Sequence, residues 1–557
     1  MIAQRSPRYA SLVWLMALSL AALSVSLESG STFMRKLRRI GTIGNLREIV
    51  SISKSTNPLD ADFQYALEGL EKKGQLKAPI EKSVSSSLTW KDRVELLPYM
   101  GSAFFGVTIS SLVGSYLPLE MAAGAELVFA AYCFSLVKSS LQKPVALEAM
   151  PEYDRDWDSL WTDVFDSLPD VRQWLVDWFL DSAFEDICRE DVDEFFTWAM
   201  YSTTLENIDD EQKAALSMAV KLLEQRCDYT FPQREGVETK VRSMRSTIEP
   251  LQWFHKPLIF YLLTQGVASQ ALRKEFKGFE QKKIGELVYW TGASTITSKT
   301  VPVVFYHGVG GLVYYTRFLR SLEAAGIPVV AVEMPYVSLH IAPNVPTIDE
   351  HTAGFCAILD ELGVEKAIVI GHSWGSNVIS WLCQAAEDRI AASIFLDPVV
   401  FMLHLRNITY NWFYKDTSAV KASPYGTAAA EGETTYSTQL TEPDTGGGVM
   451  SLIKSELFTN HALQRPYMWF RNVLFAHEME KKSFSTTICL SELDPIVPSD
   501  AVKEHVLAHR AERRAEGLSS QVEVKVLPGA THGSFVFEKD YQRSVVDLIK
   551  NIAKTQT

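Results

Sequence analysis

Residues 367–382 read Ala-Ile-Val-Ile-Gly-His-Ser-Trp-Gly-Ser-Asn-Val-Ile-Ser-Trp-Leu. The run Ala367 to Ile370 is apolar and mostly β-branched, which predicts a buried strand. Val378 to Leu382 reads as a helix, and between the two lies Gly371-His372-Ser373-Trp374-Gly375, the pattern G-x-S-x-G. A serine that stands on so tight a strand-to-helix turn leaves almost no room for side chains two residues before and two after it, which explains both glycines. Ser373 then sits at a helix amino end, where the dipole and the Trp374 N–H face a developing anion. In a long chain the five-residue pattern alone arises by chance; the strand before it and the helix after it make it specific.

Working outward, short apolar runs alternate with helical stretches from about Lys282, an α/β rhythm that predicts a mostly parallel sheet covered on both faces. Expected strands are Gly285–Trp290, Pro302–Tyr306, Pro328–Val332, Ala367–Ile370, Ser393–Leu396, Thr486–Leu490 and Val522–Val526. Three of them end in chemistry. Val303 to Tyr306 leads into His307-Gly308-Val309-Gly310-Gly311, a turn able to aim the Val309 N–H at the same oxyanion. Thr486 to Leu490 leads to Asp494, and Val522 to Val526 leads to His532. A serine hydroxyl is a poor nucleophile at neutral pH, so His532 is expected to take its proton and Asp494 to orient the imidazole. Asp397, at the end of the Ser393–Leu396 strand, is the rival acid. His372 reads as a packing residue, and His404, His505 and His509 as surface or structural.

On these motifs the region 282–557 resembles the α/β-hydrolase superfamily. The resemblance implies Ser373 as nucleophile, Asp494 as acid, His532 as base, and the amides of Val309 and Trp374 as oxyanion hole. Many relatives carry D-x-x-G-x-G-x-S where this chain reads Glu333-Met334-Pro335-Tyr336-Val337-Ser338-Leu339, a more apolar turn. The nucleophilic Asp of haloalkane and epoxide hydrolases is excluded, since Ser occupies the turn. Between Asp397 and Thr486 a cap is expected at about 398–484, with Tyr410, Trp412, Phe413, Tyr467, Trp469 and Phe470 flanking a small-residue stretch from Thr417 to Gly448. This reads as a movable aromatic lid over an apolar pocket. Asn407-Ile408-Thr409 fits a glycosylation acceptor.

The amino-terminal half reads differently. Tyr9 to Leu27 carries no charge and follows Arg5 and Arg8, so residues 1–30 are expected to be a signal anchor or signal peptide. Residues 31–98 read as a linker. Within 99–140 an uncharged run from Gly101 to Leu119, followed by a second apolar run around Glu126, is expected to form a hydrophobic hairpin or a transmembrane segment. Residues 141–281 form an acidic helical region: Pro151 to Asp210 holds eighteen Asp or Glu against three Arg. There Val171, Trp174, Leu175 and Trp178 share one helical face, and further helices are expected at about 192–200, 210–225 and 250–271. An all-helical region is thus expected to precede the α/β domain.

The chain has 557 residues, 47% apolar and 22% charged, which excludes a disordered or fibrous protein. A net charge of −13 argues against a large nucleic-acid surface. The six cysteines contain no C-x-x-C pair, and Glu185 and Asp186 lack histidines at ligand spacing, so no metal site is indicated. The expectation is a membrane-associated serine hydrolase, in the endomembrane or secretory pathway, acting on carboxylic esters of hydrophobic or lipid-like substrates without a cofactor. An acyltransferase or thioesterase on the same triad, or a non-catalytic membrane adaptor, are the alternatives; no H-x-x-x-x-D acyltransferase signature follows any of the eleven histidines.

Overall fold

Strand β3 (Val303–Tyr306) is buried at all its positions, and its side chains divide by parity: Val304 and Tyr306 join one apolar layer, Val303 and Phe305 the other. That division, repeated in β4 (Val329–Glu333) and β5 (Ala367–His372), is what continuous apolar runs achieve when helices cover both faces of a sheet. The computed structural model describes residues 117–145, 156–234, 236, 241–292, 296–297, 301–415 and 452–556. The expected anchor at 1–30, the linker at 31–98 and the small-residue stretch from Thr417 to Gly448 lie outside these residues, as does the Gly101 run up to residue 116.

With β1 (Glu280–Ile284), β2 (Leu287–Thr291), β6 (Ile390–Leu396), β7 (Ser485–Ser491) and β8 (Val522–Leu527), the sheet has eight strands in the order β1-β2-β4-β3-β5-β6-β7-β8. β2 runs antiparallel to β1 and β4, and all other pairings are parallel. Seven strands were expected from the apolar runs. β1 carries no such run because it is a solvated edge with the sequence Glu-Gln-Lys-Lys-Ile, whose charges suit an edge strand. Gly285, expected at the start of β2, instead takes φ +53° in the turn joining it to β1.

The chain divides into two units, Met1–Phe134 and Ser135–Thr557. In the first, the described part is residues 117–134 of the apolar helix α1 (Leu117–Leu136). Among the described residues, Ala122–Leu141 is the one helical stretch long and apolar enough to cross a membrane.

In the second unit, α2 (Trp157–Asp166), α3 (Val171–Trp178), α4 (Arg189–Tyr201) and α5 (Asp210–Cys227) make up the acidic region. Much of that acidity begins helices. Asp156, Asp170 and Asp209 cap free N–H groups, and Asp158, Glu190, Asp191 and Asp210 lie in first turns, where the helix dipole favours negative charge. The opposite, tryptophan-bearing faces turn inward. The indole N–H groups of Trp174 and Trp178 both donate to the His404 carbonyl, at 2.8 and 2.9 Å, and the Trp469 indole donates to Ala199 O at 2.8 Å. Trp161, 1% exposed, stacks among Phe165, Trp174, Phe196 and Trp469. Truncating such a buried ring typically costs about 3–5 kcal/mol, so this apolar seam fastens the helices to the segments around His404 and Trp469.

Helices α6 (Thr316–Ala324) and α11 (Lys539–Gln556) pack on one face of the sheet; α7 (Ile348–Leu362), α8 (Gly375–Ala385) and α10 (Ser499–Ala515) pack on the other, with α9 (Leu457–Gln464) in the segment between β6 and β7.

Candidate active site

β5 ends in the turn that the glycines anticipate. Ser373 takes φ +51°, a left-handed conformation that costs a non-glycine residue about 1–3 kcal/mol. Hydrogen bonds hold it there: Ser373 N–H donates to Leu396 O at 3.0 Å, and Ser376 N–H to Ser373 O at 2.9 Å. The Ser376 hydroxyl adds a 2.5 Å bond to Ser373 O while accepting from Val399 N–H at 3.0 Å, a support that G-x-S-x-G does not specify. A Cβ added at Gly371 would lie 2.5 Å from the Ile379 side chain, and one at Gly375 would overlap the Tyr306 carbonyl. Gly375→Ala is therefore expected to destabilise the fold by about 3 kcal/mol or more, because backbone on both sides has nowhere to go. Gly266→Ala, with open space around it, serves as the near-neutral comparison in urea unfolding.

The three side chains named from the sequence meet around this turn. His532 Nε2 is 2.9 Å from Ser373 Oγ, and His532 Nδ1 is 2.7 Å from Asp494 Oδ2. The neutral tautomer that satisfies both bonds carries its proton on Nδ1 and accepts the serine hydroxyl at Nε2. Asp494, whose side chain is fully shielded from solvent, is held in turn by the N–H groups of Ile496 and Val497, at 2.8 and 2.9 Å to Oδ1. Burial alone would lower the His532 pKa, but the Asp494 carboxylate, and next the Asp397 charge, hold it above the usual 6.5.

The turn after β3 supplies the amide. Gly308 N–H donates to the Tyr315 hydroxyl at 3.1 Å and Gly310 N–H to Val337 O at 2.8 Å, whereas the N–H of Val309 between them, like that of Trp374, meets no acceptor among the described residues. A Cβ on Gly308 would come within 3.0 Å of Ser373 Cβ, so this turn abuts the nucleophile position. His307 braces it: Nδ1–H donates to Gly308 O at 2.7 Å and Nε2 accepts from Met334 N–H at 2.9 Å. Burial pushes its pKa down to about 4, so it stays neutral. The apolar turn 333–339 thus braces the loop through Met334 and Val337, a role that its sequence did not announce.

Asp397 does not share the His532 bond. Its Oδ1 accepts Ser491 N–H at 2.7 Å, and its Oδ2 accepts Ser491 Oγ at 3.0 Å and Gly533 N–H at 2.8 Å. His372 is more than packing, since its Nδ1 lies 2.7 Å from the Tyr315 hydroxyl. Oxygen and nitrogen atoms of Asp397, Asp494 and His532 lie within 4.8 Å of one another, but each carboxylate is already committed to protein donors, so the arrangement is that of a hydrogen-bond network. From the segment between β6 and β7, the Tyr467 ring lies against Trp374, with centroids 5.0 Å apart and planes tilted by 40°.

Residues 301–440 match the family model described as alpha/beta hydrolase fold. The lipase LipV of Mycobacterium tuberculosis is 41% identical over 54 residues, 10% of this chain and 21% of the lipase. Epoxide hydrolase 3 of Siraitia grosvenorii is 34% identical over 102 residues, 17% of this chain and 32% of that protein. The crystal structure of naproxen esterase from Bacillus subtilis superposes with a TM-score of 0.35 and 16% identity over 52% of this chain and 97% of the esterase. The chain spans less than half the length of the curated relatives it matches. Given the sheet order, the strained turn after β5 and the match of residues 301–440 to that family model, the described residues from Glu280 to Gln556 have the α/β-hydrolase fold.

Proposed function

We propose that the protein is a membrane-associated serine hydrolase that cleaves carboxylic esters of hydrophobic substrates through an acyl-enzyme. The observation that carries the reading is the continuous chain Ser373 Oγ to His532 to Asp494, at 2.9 and 2.7 Å, beside two amides without acceptors. In this scheme Ser373 Oγ attacks the ester carbonyl as its proton passes to His532 Nε2. The Val309 and Trp374 N–H groups receive the oxyanion, and the imidazolium returns the proton to the departing alkoxide. Water then repeats the sequence on the acyl-serine, with His532 again as base.

A serine at the turn favours acyl chemistry over epoxide opening, whatever the relatives do. For a hydrophobic substrate, support comes from large apolar side chains left exposed on the loops that carry the site: Tyr314 at 48%, Leu493 at 61% and Phe537 at 67%. For membrane association, support comes from the Ala122–Leu141 helix, which is long and apolar enough to cross a bilayer, and an endomembrane is the proposed location.

Full-length protein in detergent is expected to react with a fluorophosphonate at Ser373 and to hydrolyse p-nitrophenyl esters with a preference for longer acyl chains. No adduct and no turnover across the ester series would overturn the hydrolase reading, and release into sodium carbonate would overturn the membrane part alone. Because His532 must be neutral to act as base and its pKa is raised, the acid limb of the kcat/KM profile is expected above pH 6.5.

A further inference from the structure

We propose that Tyr315, His372 and Asp397 form a second polar relay behind the triad, two hydrogen bonds and one electrostatic contact beyond Gly308, which ties the oxyanion turn to the loop of His532 and holds a second negative charge near its imidazole. The inference rests on the hydrolase reading and adds three positioning residues to it.

The path begins at Gly308, the residue before Val309. Its N–H donates to the Tyr315 hydroxyl, 3.1 Å away, so the hydroxyl's own proton is directed to His372 Nδ1, 2.7 Å on. His372 therefore carries its proton on Nε2, which faces Asp397 Oδ2 at 3.7 Å, an electrostatic contact rather than a hydrogen bond. Asp397 Oδ2 accepts from the N–H of Gly533, the residue after His532, at 2.8 Å. The path thus leaves the oxyanion turn, passes behind Ser373 through its neighbour His372, and arrives at the backbone of the base.

Three features argue that this is built rather than incidental. Tyr315, His372 and Asp397 are 4%, 4% and 2% exposed, and an ionised carboxylate in such a place is costly unless its charge is used. Asp397 sits at φ +42° on the end of β6, a strained position that turns the carboxylate towards Gly533. Gly533 itself takes φ +71°, and a Cβ there would lie 3.4 Å from the His372 ring, so the two loops are fitted to each other.

The charges around His532 can be assigned by element: Asp494 from the loop after β7, Asp397 from the end of β6, and His372 from the end of β5, which burial keeps neutral. Asp494 holds the ring through a hydrogen bond, and Asp397 acts on it across space, both favouring the imidazolium that forms during acyl transfer.

The test uses full-length protein, a fluorophosphonate and a soluble p-nitrophenyl ester. Asp397→Asn is expected to lower kcat about 10- to 100-fold with KM unchanged, and to move the acid limb of kcat/KM to lower pH. Tyr315→Phe keeps the ring and removes the hydroxyl that joins Gly308 to His372. It is expected to lower kcat about tenfold while leaving the acid limb in place, because the charge set around His532 is intact. Should Asp397→Asn fail to fold, Tyr315→Phe decides alone. Wild-type kcat in Tyr315→Phe, or a folded Asp397→Asn whose acid limb has not moved, overturns the relay. If the unaltered protein neither labels nor turns over, it is the hydrolase reading that fails, and the two failures are thereby distinguished.

Discussion

Ser373→Ala is expected to abolish fluorophosphonate labelling and to lower ester turnover by about 10⁴- to 10⁶-fold while leaving the unfolding temperature within a few degrees of the parent. The size follows from what is removed. Without Oγ no acyl-enzyme can form, and what survives is the stabilisation of a water attack by the Val309 and Trp374 amides. Stability should change little because Ser373 is held by its backbone, through Leu396 and Ser376, and not by its hydroxyl. Asp494→Asn is expected to cost about 10⁴-fold, since an amide at that position can present an N–H to His532 Nδ1 and favour the wrong tautomer. Asp397→Asn should lose far less, because Asp397 bonds to Ser491 and Gly533 and not to the ring. If the two asparagine variants ranked the other way, the acid would have to be moved to the end of β6. Persistent labelling of the alanine variant would move the nucleophile elsewhere.

The second large effect is on stability. The protein is expected to lose on the order of 5 kcal/mol of folding free energy between pH 7 and pH 5. His307, His351 and His404 are 0%, 0% and 3% exposed, and burial lowers their pKa values to about 4, about 4 and about 3. In the unfolded chain each would titrate near 6.5. At pH 5 the unfolded imidazoles therefore hold protons that the folded ones lack. Stability is complete above pH 6.5 and falls through the window from 6.5 towards 4, by about 2 kcal/mol per group at pH 5. His532, Glu333 and Glu456 work in the opposite direction, because their folded pKa values are raised. Thermal unfolding at pH 7, 6 and 5 measures the balance, and a melting temperature flat across that range would contradict it. His404→Phe should recover part of the loss: the ring stacks on Phe475 at 5.7 Å and gives up one hydrogen bond, to Ser167 Oγ.

The α/β-hydrolase fold could be read from residues 367–382 because its signals are local. A β-branched run, two glycines at fixed distance from a serine, and an apolar helix lie within sixteen residues, and each obeys short-range sterics. The same holds for the helix starts of the acidic region, where Asp156, Asp170 and Asp209 sit where capping demands them. β1 could not be read, since an edge strand wetted by water carries no apolar pattern, and its existence depends on pairing with β2.

The candidate site was legible as residue types at strand ends, in the order Ser, Asp, His. Asp494 was the expected acid, but its rival Asp397 stayed open, for both follow strands that end at the same edge. Strand register and two left-handed residues decided it, turning Asp397 to Gly533 and leaving Asp494 to the ring. Likewise Tyr315 lies 57 positions from His372 and Ser373 lies 159 from His532, and no local rule ties such pairs. Composition and spacing specify the strand, turn and helix because those are settled within a few residues. Hydrogen-bond partners, tautomers and the fate of each buried charge are settled only when the sheet closes and brings distant loops to one rim.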